Sequence, residues 1–445
     1  MKKVLLVCFI LTILSASLTG CAIEKKEEEK ETKSVYAFDV VLEKSVLSCK
    51  VELNHFVKTA KNEHCFYSPA HEYAKVKANG VEAEYEVNDG VLTVFTPETR
   101  GETAFSFEYE LPLENGSPFG GGETLYYAVK FYPIPYSEED EIKRADIYKP
   151  SFSPFLFDFT AKLSTPKTLF SLSSGETVSD EKVDDQRILR IEGKNKRDFS
   201  FTSSAAFVNR NQGKIHYYFI SDKDQKETLS DIAECVSIYD ELFGEAFDEL
   251  YVVKSDYPFS YASSGIVFVK DDKNKETLKD SIARYVSGEW WGQKVAVNGR
   301  TPFLQDGLRG FSALLYYLKS GNEKRFNAIK NDLQNALERR TIAAENNAIG
   351  RSTYEMGDDY EECVYKLGAL AFFELYSLYG VEVPNGLKRF AKENAGKVVS
   401  IGDLYSAFDN KSEYTVFLDS WLNGKVVHAL RAHTTQKGSV KTVKL

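Results

Sequence analysis

Histidine occurs six times in 445 residues, and none of the six (His55, His64, His71, His216, His428, His433) lies between Tyr217 and Val427. That gap excludes, from nearly half of the chain, any zinc motif built on two imidazoles one helical turn apart. Basic charge is also short: 56 Lys and Arg stand against 66 Asp and Glu, a formal net charge of −10. No broad basic field is left to hold a polyanion, which excludes a nucleic-acid partner. Proline is limited to 12 residues and methionine to 2, so the chain is neither collagen-like nor of low complexity. Apart from Val4–Leu18 there is no long apolar run, and that one is too short to span a bilayer comfortably. What is abundant is aromatic: 26 Tyr and 30 Phe in a chain that is 43% hydrophobic, enough for two or three domains with aromatic-rich cores.

The apolar run follows Lys2 and Lys3 and ends Leu18-Thr19-Gly20-Cys21. This is the charged start and apolar middle of a signal peptide spanning residues 1–20, and its end resembles the bacterial lipobox. The resemblance implies cleavage before Cys21, acylation of the Cys21 thiol and anchoring at the extracytoplasmic face of a bacterial membrane; an ordinary signal peptide is the alternative. Residues 21–34, ending AIEKKEEEKETKS, carry many charges of both signs and little to bury, which fits a solvated tether. Two acyl chains and a tether give stable anchoring. Of the remaining cysteines, Cys49, Cys65, Cys235 and Cys363, none is assigned to a disulfide, and their spacing matches no zinc ribbon.

From Val35 to Gln212 short alternating runs such as Tyr36–Val41, Val91–Phe95 and Ala104–Tyr109 read as strands. Asn88-Asp89-Gly90 and Glu114–Ser117 read as turns, and Gly120–Gly122 as a flexible loop. This predicts an N-terminal antiparallel β saddle or sandwich over 35–212. From Gly213 the pattern turns to α/β, with strands at Ile215–Ile220, Leu250–Lys254 and Gly265–Val269 and a helix over Glu227–Phe243; from Glu276 it is almost wholly helical. The expected fold class is therefore α+β multidomain, with an α/β and helical domain over 213–428 and a basic polar tail over 429–445.

Ser281–Val295, reading SIARYVSGEWWGQKV, resembles the zinc helix of the aminopeptidase N family of gluzincin metallopeptidases, H-E-x-x-H-Q-W-[WF]-G-N-x-V. Phe303–Arg309 (FLQDGLR) resembles that family's W-L-N-E-G-F-A, Val364–Leu370 its Y-x-K-G helix, and Val129–Pro133 (VKFYP) its WYP strand. These motifs occur in the family's order and imply a β saddle followed by a thermolysin-like domain. The chemistry does not follow. Aligned on Trp290-Trp291-Gly292, the two histidine ligands correspond to Arg284 and Gly288, the general base to Tyr285 and the third ligand to Asp306. Tyr365 alone matches, at the position of the tyrosine that stabilises the oxyanion. The family's amine-binding glutamate has no counterpart, since no Glu occurs from Tyr257 to Lys270. A guanidinium has no lone pair to offer a metal and glycine has no side chain.

These residues lead to an expected role as a membrane-anchored pseudopeptidase that binds a peptide or an envelope protein, with no cofactor. A zinc-dependent aminopeptidase with an irregular site and a structural lipoprotein of a transporter or envelope complex are the alternatives. Two further expectations concern the degenerate site. Arg284 and Asp306 either pair in place of the metal, or Arg284 reaches solvent while Asp306 caps the helix near Gly307. Glu289, Asp306, Asp358, Asp359, Glu361 and Glu362 either form a separate acid–base or cation site or are mostly solvated helix starts. Trp290 and Trp291 are expected in the core.

Overall fold

The computed structural model describes residues 33–114, 119–121, 124–135, 155–297, 300–342, 349–350 and 359–424. The signal segment, Cys21, the tether up to Thr32, most of the turn expected at Glu114–Ser117, Gly122, Asp358 and the tail lie outside the described residues.

In the first half, alternation at period two builds the core directly. Tyr36, Phe38, Val40 and Leu42 all point to one face of the strand Ser34–Leu42 and are buried, while their neighbours face outward. The strand enters the interior of a ten-stranded sheet, pairing antiparallel with Val46–Tyr67 on one side and parallel with Phe157–Pro166 on the other. The sheet is thus mixed rather than purely antiparallel. Its order continues outward through Gln186–Lys196 and Glu176–Val183 at one end, and through Val91–Pro112 and Lys75–Ala78 at the other. The runs Val91–Phe95 and Ala104–Tyr109, expected as separate strands, are the two ends of one 22-residue strand. Gly120 is in no loop: Phe119–Gly121 is a short strand paired with Tyr126–Val129.

These two strands, with Ser200–Ser204 and Phe170–Ser173, make a four-stranded sheet that is covered on both faces. One face contributes Ala128, Phe199 and Phe201 to a core shared with the large sheet, where Phe38 and Phe199 rings lie 4.9 Å apart. The other face contributes Tyr127, Val129 and Leu172 to a smaller core with Val253, Tyr257, Tyr261 and Phe268 of the next sheet.

That next sheet has five strands. Ile215–Phe219, Leu250–Ser255 and Ile266–Lys270 run parallel, with antiparallel edges at Val208–Gln212 and Tyr261–Ser263. Val208–Gln212 belongs to this five-stranded sheet although it lies within the 35–212 span expected for the saddle. The helix Gln225–Phe243 makes the crossover between the first two parallel strands, as a parallel pair requires. The far face of the sheet packs on helices Gln225–Phe243 and Lys275–Val286, and helices Asp306–Lys319, Gly368–Tyr379 and Glu382–Glu393 extend the same core, in which Trp290 and Trp291 are fully buried. Gly307 and Gly368 let two of these helices touch backbone to backbone: a Cβ on Gly307 would lie 3.0 Å from Gly368 Cα. None of Cys49, Cys65, Cys235 and Cys363 forms a disulfide.

Candidate functional site

The helix that carries Arg284 starts at Lys275, where the Asn274 side chain accepts from the Glu276 and Thr277 N–H groups. It ends at Val286, and a tight 3-10 turn over Ser287–Glu289 leads into the tryptophans. Indole N–H donors fix this turn: Trp290 Nε1 donates to the Gly244 carbonyl at 2.5 Å and Trp291 Nε1 to Ser312 Oγ at 2.8 Å.

Arg284, Gly288 and Asp306 surround a fourth residue, Arg309. It lies one turn beyond Asp306 on the same helix and is 1% exposed. Its Nη1 donates to Asp306 Oδ1 at 3.2 Å and its Nε to the Trp291 carbonyl at 3.0 Å. A Cβ built on Gly288 would meet Arg309 Nη2 at 2.9 Å and Ala262 Cβ at 2.6 Å. The guanidinium therefore occupies the space that a side chain at position 288 would need, and the edge strand Tyr261–Ser263 closes it from the other side. Asp306 accepts a second bond, from Tyr360 Oη at 2.7 Å. Burial pulls the Arg309 guanidinium below its usual range; Asp306 opposes this, and the nearby Arg197 and Arg284 cations add to it.

The expected Arg284–Asp306 pair is absent. Arg284 instead turns to the π-helical segment Glu361–Leu367, donating to both Glu361 carboxylate oxygens at 3.3 and 3.4 Å. Its guanidinium carbon lies 3.6 Å from the centre of the Tyr365 ring and 5.5 Å from that of Tyr285, a cation–π stack. Burial pushes the Tyr365 hydroxyl up to about 12, against the lowering effect of Arg284. Nor does Asp306 cap its helix: Gln305 occupies the cap position and no side-chain cap bond forms.

Zinc does not fit these residues. Of the three residues that the resemblance aligns with metal ligands, Arg284 and Gly288 offer no donor atom, and Asp306 is bound to Arg309 and Tyr360. Among the described residues no group of three or more His, Cys, Asp or Glu side chains is placed to hold a metal ion. The acidic set read from the sequence is likewise dispersed. Asp359 pairs with Arg340 at 3.1 Å, Glu362 with Arg339 at 2.6 Å, Glu361 with Arg284 and Asp306 with Arg309.

The edge strand is engaged from the first half of the chain. Arg197 and Asp198, both 1% exposed, follow the strand Gln186–Lys196. Asp198 accepts from Tyr261 Oη at 2.5 Å, Ser263 Oγ at 2.6 Å and Arg197 Nη2 at 2.9 Å. The Ala262 carbonyl accepts from Arg197 Nη2 at 2.6 Å and Gln293 Nε2 at 3.0 Å. An added peptide strand pairs with free edge carbonyls, and this one is already taken.

Glu289 stands apart from the other acids. It is 3% exposed, and only one of its oxygens is satisfied, accepting from the Gly265 N–H at 3.2 Å; Oε1 is buried without a partner. Burial pushes its carboxyl up to about 7, partly offset by the Gly265 N–H and the Lys196 and Arg197 cations. Sequence reasoning missed Arg309 and the burial of Glu289. For Arg309 a signal existed, a cation three residues after the Asp in place of the family's alanine; for Glu289 there was none.

No family model matches the sequence, and no curated protein matches it. Solved structures do. An M1 zinc metallopeptidase from Deinococcus radiodurans is similar at 14% identity and a TM-score of 0.64, over 89% of this chain and 95% of that one. A mutant M1 zinc metallopeptidase from the same organism, bound to a Tyr-Ser-Ala substrate, is similar at 15% identity and a TM-score of 0.64, over 88% and 95%. A two-domain M1 zinc metallopeptidase mutant bound to L-arginine is similar at 13% identity and a TM-score of 0.63, over 88% and 94%. At such identities the likeness establishes the fold: this chain has an M1 metallopeptidase-like, aminopeptidase-like fold.

Proposed function

We propose that this chain is a membrane-anchored extracytoplasmic lipoprotein, acylated at Cys21, in which a zinc-peptidase fold has given up metal chemistry and serves to bind a peptide or an envelope protein. The observation that carries the reading is Arg309. Its buried guanidinium stands among Arg284, Gly288 and Asp306, supplies the positive charge that a metal would bring, and neutralises the one carboxylate left at the ligand positions. Without imidazole ligands and a general base no activated water attacks a peptide carbonyl. The Arg284 stack on Tyr365 supports the same reading, because the matched tyrosine serves as a platform for a cation.

Two measurements test it. The mature domain, incubated with zinc and dialysed, is expected to keep no stoichiometric zinc and to hydrolyse no aminoacyl substrate in an aminopeptidase panel. Tightly bound zinc with turnover would restore the aminopeptidase alternative. In cells, labelled palmitate is expected in the parent and not in Cys21→Ala, with the variant leaving the membrane fraction; a variant that stays membrane-bound would sink the anchor.

A further inference from the structure

The edge at Tyr261–Ser263 is taken, but the four-stranded sheet ends in a different one. Its outer strand Phe170–Ser173 pairs with Ser200–Ser204 on one side and with no strand on the other. Just past it, the Ser174 N–H donates to the Ser200 carbonyl at 2.9 Å. That bond fixes the alternation of the antiparallel ladder: Phe170 and Leu172 turn their backbone groups toward Ser200–Ser204, and Ser171 and Ser173 turn theirs outward. Leu169 keeps the same step, its carbonyl accepting from Arg187 Nη1 at 3.1 Å. Among the described residues nothing bonds to the backbone N–H or carbonyl of Ser171 or Ser173. The Ser171 side chain is engaged with the neighbouring strand, its hydroxyl 2.8 Å from Ser203 Oγ.

Both serines line a cleft of about 910 Å³. Its lining also includes Tyr218, Phe247 and Tyr251 of the second half of the chain, all partly exposed. The Tyr218 ring lies 5.6 Å from that of Phe170 and 6.3 Å from that of Tyr251. A strand laid along Phe170–Ser173 therefore meets aromatic surface as well as backbone. Two other edges lack this cover. Val208–Gln212 is exposed at every residue, and Glu176–Val183 is exposed almost throughout and carries Glu176, Asp180, Glu181 and Lys182, the charges that keep an edge from pairing.

We propose that the Phe170–Ser173 edge binds an extended polypeptide segment, which adds a fifth strand to the four-stranded sheet inside the cleft. The proposal rests on the peptide-binding reading and gives it a place. The N–H and carbonyl groups of Ser171 and Ser173 supply the main-chain hydrogen bonds. The residue opposite Leu172 shares the face on which Phe170 and Leu172 pack toward Tyr218, so an apolar side chain is favoured there. Because the pairing uses the main chain, the segment needs no terminus of its own in the site.

Isothermal titration of the intact mature domain with the heptapeptide Lys-Thr-Val-Phe-Val-Thr-Lys, capped by acetyl and amide groups, tests it. The capped peptide is expected to bind with one-to-one stoichiometry. A scan of single backbone N-methyl groups is expected to alternate: methylation weakens binding about tenfold or more at residues of one parity, which donate to the edge, and leaves it unchanged at the other. Ser173→Pro removes an N–H that the native ladder does not use, and is expected to weaken binding about tenfold with an unchanged circular dichroism spectrum. Should that variant fail to fold, the N-methyl pattern, read on the parent protein, decides. Uniform N-methyl effects, a folded Ser173→Pro protein that binds like the parent, or binding of the uncapped peptide alone would overturn the edge and leave peptide binding elsewhere standing. If neither form of the peptide binds at millimolar concentration, both fall.

Discussion

Replacing Arg309 by alanine lowers the unfolding free energy by about 3–5 kcal/mol, the usual cost of removing one partner of a buried ion pair. Among the described residues Asp306, 5% exposed, is left with only the Tyr360 hydroxyl as a donor, and the Trp291 carbonyl loses its Nε–H partner. Urea denaturation followed by circular dichroism reads the effect as a lower midpoint at unchanged slope. The double variant Arg309→Met, Asp306→Leu should recover most of the loss, since a well-packed apolar pair can replace a buried ionic one. An Arg309→Ala protein with the parent's midpoint would show that the guanidinium fills space without holding the helices. Arg284→Ala is the internal contrast. Its partner Glu361 is 55% exposed and is rehydrated when the pair is broken, so the expected loss is smaller and comes mainly from the Tyr365 stack.

The second large effect depends on pH. An unfolded glutamate titrates near 4.5, whereas burial holds Glu289 up to about 7. Between those values the native chain keeps a proton that the unfolded chain has lost. The Glu289 contribution is therefore fully favourable below about pH 4.5, declines as pH rises and is gone above about pH 7. A gap of that size corresponds to about 3 kcal/mol. Glu289→Gln removes the titration, so the variant should gain stability over the parent on going from pH 5 to pH 8, by up to about 3 kcal/mol. Taking the difference between variant and parent at each pH cancels every other titrating group. Parallel curves for the two proteins would place the Glu289 carboxyl in the ordinary range and remove the penalty of burying it.

The sequence made different parts of this molecule legible for different reasons. Local periodicity gave the strands Ser34–Leu42 and Leu250–Ser255 and the helix Gln225–Phe243 almost to the residue, because each buries one face at its own period. It did not give the parallel pairing of Ser34–Leu42 with Phe157–Pro166, whose partners lie more than a hundred residues apart. At the site, residue types were enough to exclude a histidine pair, since that exclusion needs no coordinates. They were not enough to say what fills the space. Asp306 has two guanidiniums in its neighbourhood, and the choice of Arg309 over Arg284 is made by helix geometry: residues three apart share a face, whereas Arg284 lies across a helix–helix contact and finds Glu361 and Tyr365 first. Glu289 follows a helix and precedes two tryptophans, a context that reads equally well as solvated or as sealed.

The interior position of the first strand has a consequence for how the protein comes to be folded. Ser34–Leu42 emerges well before its parallel partner, and one whole edge of it, from Ser34 opposite Phe157 to Val41 opposite Ser164, is complete only when a segment some 123 residues later arrives. At ordinary rates of synthesis that interval is on the order of 6–25 s. Throughout it the hairpin with Val46–Tyr67 offers an unpaired backbone edge beside the aromatic rings of Tyr36 and Phe38. A nascent chain shielded until Pro166 has emerged avoids that exposure, so the sheet closes as a late, long-range event.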